Sequence, residues 1–200
     1  MGAVQSSPGS HLLPNSDSGR NRPATPHQIL GPFFPVARSP NAAGNLFALA
    51  DRARHASSES IEINGRVTNR HSDPVSRARI VVWQANRFGR YAHPNDPSEA
   101  PLEPDFIGHA EIFSGDDGGY RFTTIMPGVY PGPHGRMRPP HIHFEVEGKF
   151  ERLITQMYFP DQPLNAKDRA LMSASDPALL IAKAIDGSRT FAFDIVLTRG

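Results

Sequence analysis

Polar and apolar positions alternate over several short runs of this chain. Beyond Glu59, Ile61 and Ile63 alternate with polar neighbours, and the turn-like stretch His71–Pro74 leads into an apolar run from Ala78 to Trp83. Asp116-Asp117-Gly118 is a tight-turn sequence that opens a strand from Gly119 to Ile125. Further strands are predicted at His141–Val146, after the turn Glu147-Gly148-Lys149 at Arg152–Tyr158, and at Phe191–Leu197. The last places Phe191, Phe193, Ile195 and Leu197 on one face. Helix is marginal. Asp176-Pro177 pairs a cap with a proline at the first helical position and predicts a helix over Ala178–Ala184. A turn or two from Asn165 and a weaker candidate over Asn45–Arg54 complete the helical signals. Six or seven strands with closely spaced turns and no internal repeat predict an all-β chain, an antiparallel β-sandwich with short helices and long loops.

Composition sharpens that picture. The 200 residues contain 20 prolines and 17 glycines, a turn-rich mixture that favours short strands over a helical bundle. There is no cysteine, which excludes disulfides, thiolate zinc sites, iron–sulfur clusters and a thiol nucleophile. Any metal must be held by His, Tyr, Asp or Glu. Lys+Arg 21 against Asp+Glu 20 gives +1, so there is no electrostatic case for nucleic acid or an anionic membrane. No run approaches the roughly 18 apolar residues of a membrane span. The start has neither a basic nor an apolar targeting region. A soluble, cytoplasmic protein is the expectation. Residues 1–26 are polar and predict a disordered leader, followed by a single domain over 27–200. At the head of that domain, Ile29–Pro35 is apolar but broken by prolines, an irregular segment that needs something to pack on.

Candidate chemistry begins at His141-Ile142-His143. Strand residues i and i+2 point to the same side about 6.5–7 Å apart, so both imidazoles reach one metal. Arg138-Pro139-Pro140 fixes the entry to the pair and brings a guanidinium close, which suits an anionic bound ligand. Glu145 continues the same face and is a possible third ligand. The chain has four tyrosines. Tyr120 and Tyr158 fall inside predicted strands, where packing is the expected role. Tyr91, in Gly89–Asp96, and Tyr130, in Met126–Pro133, stand in loops between glycines and prolines. Each is either a loop anchor or a hard phenolate donor suited to Fe(III). His93, His109 and His134 are expected to be loop histidines, and Glu99, Glu103 and Asp105 a solvated acidic loop.

With these residues assembled, the chain resembles the intradiol ring-cleavage dioxygenases. The likeness runs from about Thr25 to Gly200. It is carried by Val82–Asn86 with Gly89–Tyr91, by Thr124–Pro131, by Arg138–Phe144, by Thr155–Phe159 and by the ending Phe193–Gly200. The resemblance implies a non-haem Fe(3+) held by Tyr91, Tyr130, His141 and His143. It also implies Arg138 and Gln156 near the substrate, and Tyr130 as ligand and then base. An aromatic diol and O2 are the implied reactants. Ile29, Gly31, Pro32, Phe33, Trp83 and Gly132 are the expected pocket walls. The chain departs from the pattern at Val81, where the family has an acid, and at Gly132, where it has a tryptophan. It departs again at Ile29 and Phe33, where it has hydroxyl-bearing residues. At Val81 a packing change is expected, whereas Gly132, Ile29 and Phe33 predict a roomier, more apolar pocket suited to alkyl- or aryl-substituted catechols. The segment Gln28–Phe34 resembles one that lines a partner chain's site, which predicts a homo-oligomer. Two rivals stay open: hydroxyquinol or catechol 1,2-dioxygenase activity, and a non-catalytic β-sandwich subunit or binding module.

Overall fold

The computed structural model describes residues 21–36, 44, 46–47, 60–103, 105–132, 135–185 and 187–199. Among these the strands are β1 (Ser60–Asn69), β2 (Arg79–Trp83), β3 (His109–Phe113), β4 (Gly119–Ile125), β5 (Tyr130–Pro131), β6 (Met137–Arg138), β7 (His141–Glu147), β8 (Arg152–Tyr158), β9 (Lys183–Ala184), β10 (Thr190–Ala192) and β11 (Ile195–Leu197). One four-residue helix, α1 (Arg169–Met172), lies between two 3-10 turns, Asn165–Lys167 and Pro177–Leu180. No helix among the described residues is long and apolar enough to cross a membrane.

Two sheets face each other. In the first, β1 pairs antiparallel with β4 along one edge and parallel with β10 and then β11 along the other. In the second, β3-β2-β7-β8 are antiparallel throughout. The core between them takes Ile61, Ile63 and Val67 from β1, Ile80 and Val82 from β2, and Tyr120 and Phe122 from β4. It also takes Ile142, Phe144 and Val146 from β7, and Leu153 and Met157 from β8. The period-2 alternation of a strand sends their neighbours the other way. His141, His143 and Glu145 therefore stand on the outer face of the second sheet, and register sets Trp83 and Gln156 on either side of His143. β2 is buried on both faces.

That outer face is covered by the start of the domain. Thr25 exchanges hydrogen bonds with Val196 of β11, and Thr155 of β8 donates to the Pro26 carbonyl at 2.8 Å. Gln28 N–H then reaches the Ile154 carbonyl at 2.8 Å. Residues 21–26 are thus pinned across the open side of the sandwich, so the leader expected over 1–26 is bound to the sheets from residue 21 on.

Two further expectations are corrected, and a third lies mostly outside the described residues. The strand predicted over Phe191–Leu197 breaks into β10 and β11 at Phe193-Asp194, because the Phe193 carbonyl turns in over Gly65. It accepts from Tyr120 Oη at 2.5 Å, and Asp194 takes the Arg66 N–H at 3.0 Å. The helix over Ala178–Ala184 stops at Leu180. Its cap and proline form a single 3-10 turn, after which Ile181 bridges to Tyr158 and Lys183–Ala184 become β9. Of the candidate over Asn45–Arg54, Phe47 bridges to Phe106, and residues 45 and 48–54 lie outside the described residues. A Cβ at Gly65 would stand 1.9 Å from the Phe193 carbonyl oxygen. Gly65→Ala is therefore expected to cost about 2–3 kcal/mol, read as a lower urea midpoint, whereas an unchanged midpoint would show that the carbonyl moves freely.

Candidate metal and substrate site

Four donors meet over β7. His141 and His143 arrive by strand alternation. Tyr130 arrives because β5 and β6 form a small hairpin that sets Tyr130 directly opposite Arg138, after which Pro139-Pro140 lead straight into β7. Tyr91 is placed by a knotted loop. The Asn86 side-chain oxygen accepts from the Phe88 and Arg90 amides, and Asp96 accepts from the Tyr91 amide at 2.6 Å. Gly89, with φ of +78°, packs against the Val129 carbonyl, where a Cβ would come within 2.2 Å. Only glycine fits that approach, and it presses the Tyr91 loop onto the Tyr130 loop.

The geometry is that of a convergent donor set. Tyr91 Oη lies 3.4 Å from Tyr130 Oη, and Tyr130 Oη 3.2 Å from His141 Nε2. The His141 and His143 ring centroids are 4.9 Å apart. All four side chains are buried. His141 Nδ1–H donates to the Pro139 carbonyl at 2.7 Å, which leaves Nε2 as the electron-pair donor facing the cluster. Burial, together with the Arg138 charge, holds His141 well below the usual imidazole range. Burial, then His141 and Arg138, do the same for His143. Both rings are neutral, the form that binds a metal. The Nδ1 of His143 is buried without a hydrogen-bond partner. Burial and the neighbouring Tyr130 oxygen push the Tyr91 phenol well up, so its anion needs a cation among these oxygens. Among the described residues no three His, Cys, Asp or Glu side chains cluster as a metal site; any metal here depends on the two tyrosines. Two phenols and two neutral imidazoles fit a hard, highly charged ion such as Fe(III). Glu145 is not a fifth donor: it is held by Arg79 at 3.2 Å and by Arg152, further along β7.

Above the cluster is a cavity of about 460 Å³ lined by Ile29, Gly31, Pro32, Phe33, Tyr130, Gly132, Arg138 and His143, among others. The segment 28–34 crosses this chain's own site. The Cβ position of Gly31 lies 3.1 Å from the His143 ring, Phe33 packs on Tyr91 with centroids 4.7 Å apart, and the Ile29 carbonyl accepts from Gln156 Nε2 at 3.0 Å. The irregular backbone of this segment thus finds its cover on its own sheet face, over this chain's own site.

One wall assignment changes, and another stands with a different meaning. Trp83 does not line the cavity; it stacks behind His143 at 4.9 Å and 12°, with Phe34 edge-on to it at 5.0 Å. Gly132 does line it, but a Cβ there would meet Arg138 Cγ at 2.8 Å and Cδ at 3.0 Å. The space left by the missing side chain is the track of the Arg138 stem. Val81 is buried with Trp83 under Leu30, Phe33 and Phe34, so an acid there would meet an apolar cover.

Arg138 is the hub of the site and carries residues that sequence reasoning passed over. Its Nε and Nη2 donate to the two Asp168 oxygens at 2.9 and 3.2 Å. Nη2 also reaches Gln156 Oε1 at 2.9 Å and Tyr158 Oη at 2.7 Å, and Nη1 stands 3.0 Å from His141 Nε2. Burial alone would lower the Arg138 pKa, but Asp168 and the flanking tyrosines raise it. Asp168 moves the opposite way: burial opposes its charge, and Arg138 overcomes that. Burial also pushes the Tyr158 phenol up. Gln156 touches Arg138 and the Ile29 carbonyl rather than lining the cavity. Tyr158, read from sequence as packing, faces His141 across the β7–β8 pairing. That pairing was the available signal. Asp168 gave only its cap pattern, three residues before the Leu171 amide it accepts from at 2.9 Å. His93 and His109 line a separate cavity of about 140 Å³ beside Trp83 and Tyr91, Glu103 pairs with Arg87 at 2.6 Å, and His134 lies outside the described residues.

Comparison with known proteins bears directly on this site. The dioxygenase family model Dioxygenase_C matches residues 29–199. A protocatechuate 3,4-dioxygenase beta chain of Burkholderia cepacia is 41% identical over 151 residues, 70% of this chain and 64% of that protein. A hydroxyquinol 1,2-dioxygenase of Rhizobium sp. is 32% identical over 159 residues, 72% of this chain and 51% of that protein. The chain thus spans between half and two thirds of these relatives. The solved dioxygenase domain of a dioxygenase–carbohydrate-binding fusion from Streptomyces sp. SirexAA-E superposes with a TM-score of 0.66 at 28% identity. That superposition covers 88% of this chain and 98% of the domain. A match over nearly the whole described chain, on the segments that carry both tyrosines and both histidines, places this protein in the dioxygenase family.

Proposed function

We propose that the chain is an Fe(III) intradiol dioxygenase, opening a substituted catechol between its two hydroxyl-bearing carbons with O2 to give a cis,cis-muconate-type dicarboxylate. The observation that carries this is the convergence of Tyr91, Tyr130, His141 and His143 beneath an apolar cavity with Arg138 on its wall. Those four residues would hold the ion, which supplies Lewis acidity that binds the diol as an anion and draws electron density from its ring. The protein's own part is positional and protonic. Tyr130, a phenolate when it holds the ion, would accept a proton from a catechol hydroxyl at its Oη on the cavity floor. Arg138 Nη1 offers a donor to the negative charge that develops on the substrate oxygens. Gly31 and Phe33 close the side of the cluster against water. A homo-oligomer is part of the same proposal: Ile29 is 60% and Met137 42% exposed at the cavity rim, apolar surface that a second copy would cover. Sedimentation of the active protein checks it, and an active monomer contradicts it.

The cavity also bears on which catechol. Ile29, Pro32, Phe33, Pro131, Met137 and Ala170 supply an apolar wall, which favours alkyl- or aryl-substituted rings. A second reading rests on Arg136, Lys167 and Arg169, which line the same cavity. The carboxylate among its lining residues, Asp168, is committed to Arg138, so an anionic substituent would meet net positive charge. An oxygen-uptake screen of the iron-loaded protein with catechol, 4-methylcatechol, protocatechuate and hydroxyquinol separates the two. The apolar wall predicts that 4-methylcatechol exceeds protocatechuate in kcat/KM. Protocatechuate ahead by more than tenfold, about 1.4 kcal/mol, assigns the cations to substrate recognition. Uptake with none of the four would end the dioxygenase reading.

A further inference from the structure

We infer that Asp168 is a positioning residue for Arg138, fixing which edge of the guanidinium faces the substrate; this rests on the proposed dioxygenase function. A guanidinium has five N–H donors in a rigid plane. Asp168 takes the Nε–H at 2.9 Å and an Nη2–H at 3.2 Å, a side-on bidentate pair that can form in one orientation only. The rest of Nη2 is spent on Tyr158 Oη at 2.7 Å and Gln156 Oε1 at 2.9 Å. Nη1 is what remains, and it points at His141 Nε2, 3.0 Å away. The edge presented to the donor cluster is thus chosen by subtraction.

The supports are themselves fixed. Asp168 is 4% exposed and caps α1 through the Leu171 amide. Tyr158 Oη bonds both Gln156 Oε1 at 3.0 Å and Asp168 Oδ1 at 3.2 Å, closing a ring around Nη2. Gly132 leaves room for the Arg138 stem to reach that ring. Without Asp168 the guanidinium loses its bidentate anchor and can turn its Nη1 edge away from the reacting oxygens. Substrate binding survives, because the four donors and the apolar wall of Ile29, Pro32, Phe33 and Met137 are untouched; the charge that develops afterwards loses its donor.

Four iron-loaded proteins test this: wild type, Asp168→Asn, Arg138→Ala and the double variant. Asn keeps an oxygen for the Leu171 cap while removing the charge, which guards against loss of the fold. With 4-methylcatechol, Asp168→Asn is expected to lower kcat about 10- to 100-fold with KM within threefold, and Asp168→Glu to recover part of the loss. In the Arg138→Ala background Asp168→Asn should cost nothing further. A kcat within twofold of wild type, or the same loss repeated in that background, overturns the inference. Crystal structures of iron-loaded wild type and Asp168→Asn provide an arm independent of turnover: a guanidinium displaced in the variant from its wild-type place supports the assignment, and an Nη1 edge that superposes on the wild-type one overturns it. Wild type without oxygen uptake would count against the proposed function alone, and the crystallographic arm would still decide the role of Asp168.

Discussion

His143→Ala protein is expected to purify with little iron and without the visible absorption expected of the wild type from phenolate-to-Fe(III) charge transfer. His143 is a neutral, buried ring clamped between Trp83 on one face and Gly31 at its edge. Its place is therefore set before any ion arrives, and Ala removes the donor without collapsing the clamp. Changing residues outside the ligand set costs about 10- to 100-fold in metal affinity, so removing a ligand should exceed 100-fold. Tyr91→Phe belongs with it. It deletes one of two oxygens 3.4 Å apart, and with it the hard anionic donor that favours a trivalent ion. Iron content by elemental analysis and the visible spectrum read both variants. Full iron and unchanged colour in either would remove that residue from the ligand set.

Arg138→Ala carries the second large effect, and it has two parts. Loss of one preorganised donor is worth about 10²–10³ in turnover, measured as kcat with catechol binding retained. Stability falls as well, because the Asp168 carboxylate stays buried against Tyr158 with its cation gone. Removing one partner of a buried pair costs about 3–5 kcal/mol. Arg138→Lys should not restore turnover, since an ammonium cannot bond Asp168 side-on and still present a second edge to His141. Full turnover in the Lys variant would mean that charge alone suffices.

The parts legible in the sequence were those encoded locally. His141 and His143 share a face because strands have period two, and Ile142, Phe144 and Val146 mark the opposite face as core. Asp116-Asp117-Gly118 fixed the start of β4 for the same local reason. Tyr91 and Tyr130 stood out as aromatics among turn residues, and the family resemblance gave them a role. What stayed hidden depends on contacts between distant residues. β3 alternates only over five residues at a sheet edge. Gly65, more than a hundred residues away, breaks the last strand through one carbonyl. Residues 28–34 have no period, so nothing local says whose site they cover. Gly132 looked like open space because its occupant, the Arg138 stem, returns by the turn of a hairpin. Asp168 reads as an ordinary helix cap until β7, β8 and α1 are brought together around one guanidinium.

In the proposed reaction, this chain's own four donors and Arg138 direct O2 to the carbons between the two catechol hydroxyls. Mass analysis of the product formed from 4-methylcatechol by the purified iron-loaded protein under ¹⁸O₂ tests it most directly. The expected product is a ring-opened methyl-muconate carrying both labelled oxygens, one on each new carboxylate. A semialdehyde from cleavage beside the diol, or an unopened ring, would contradict it.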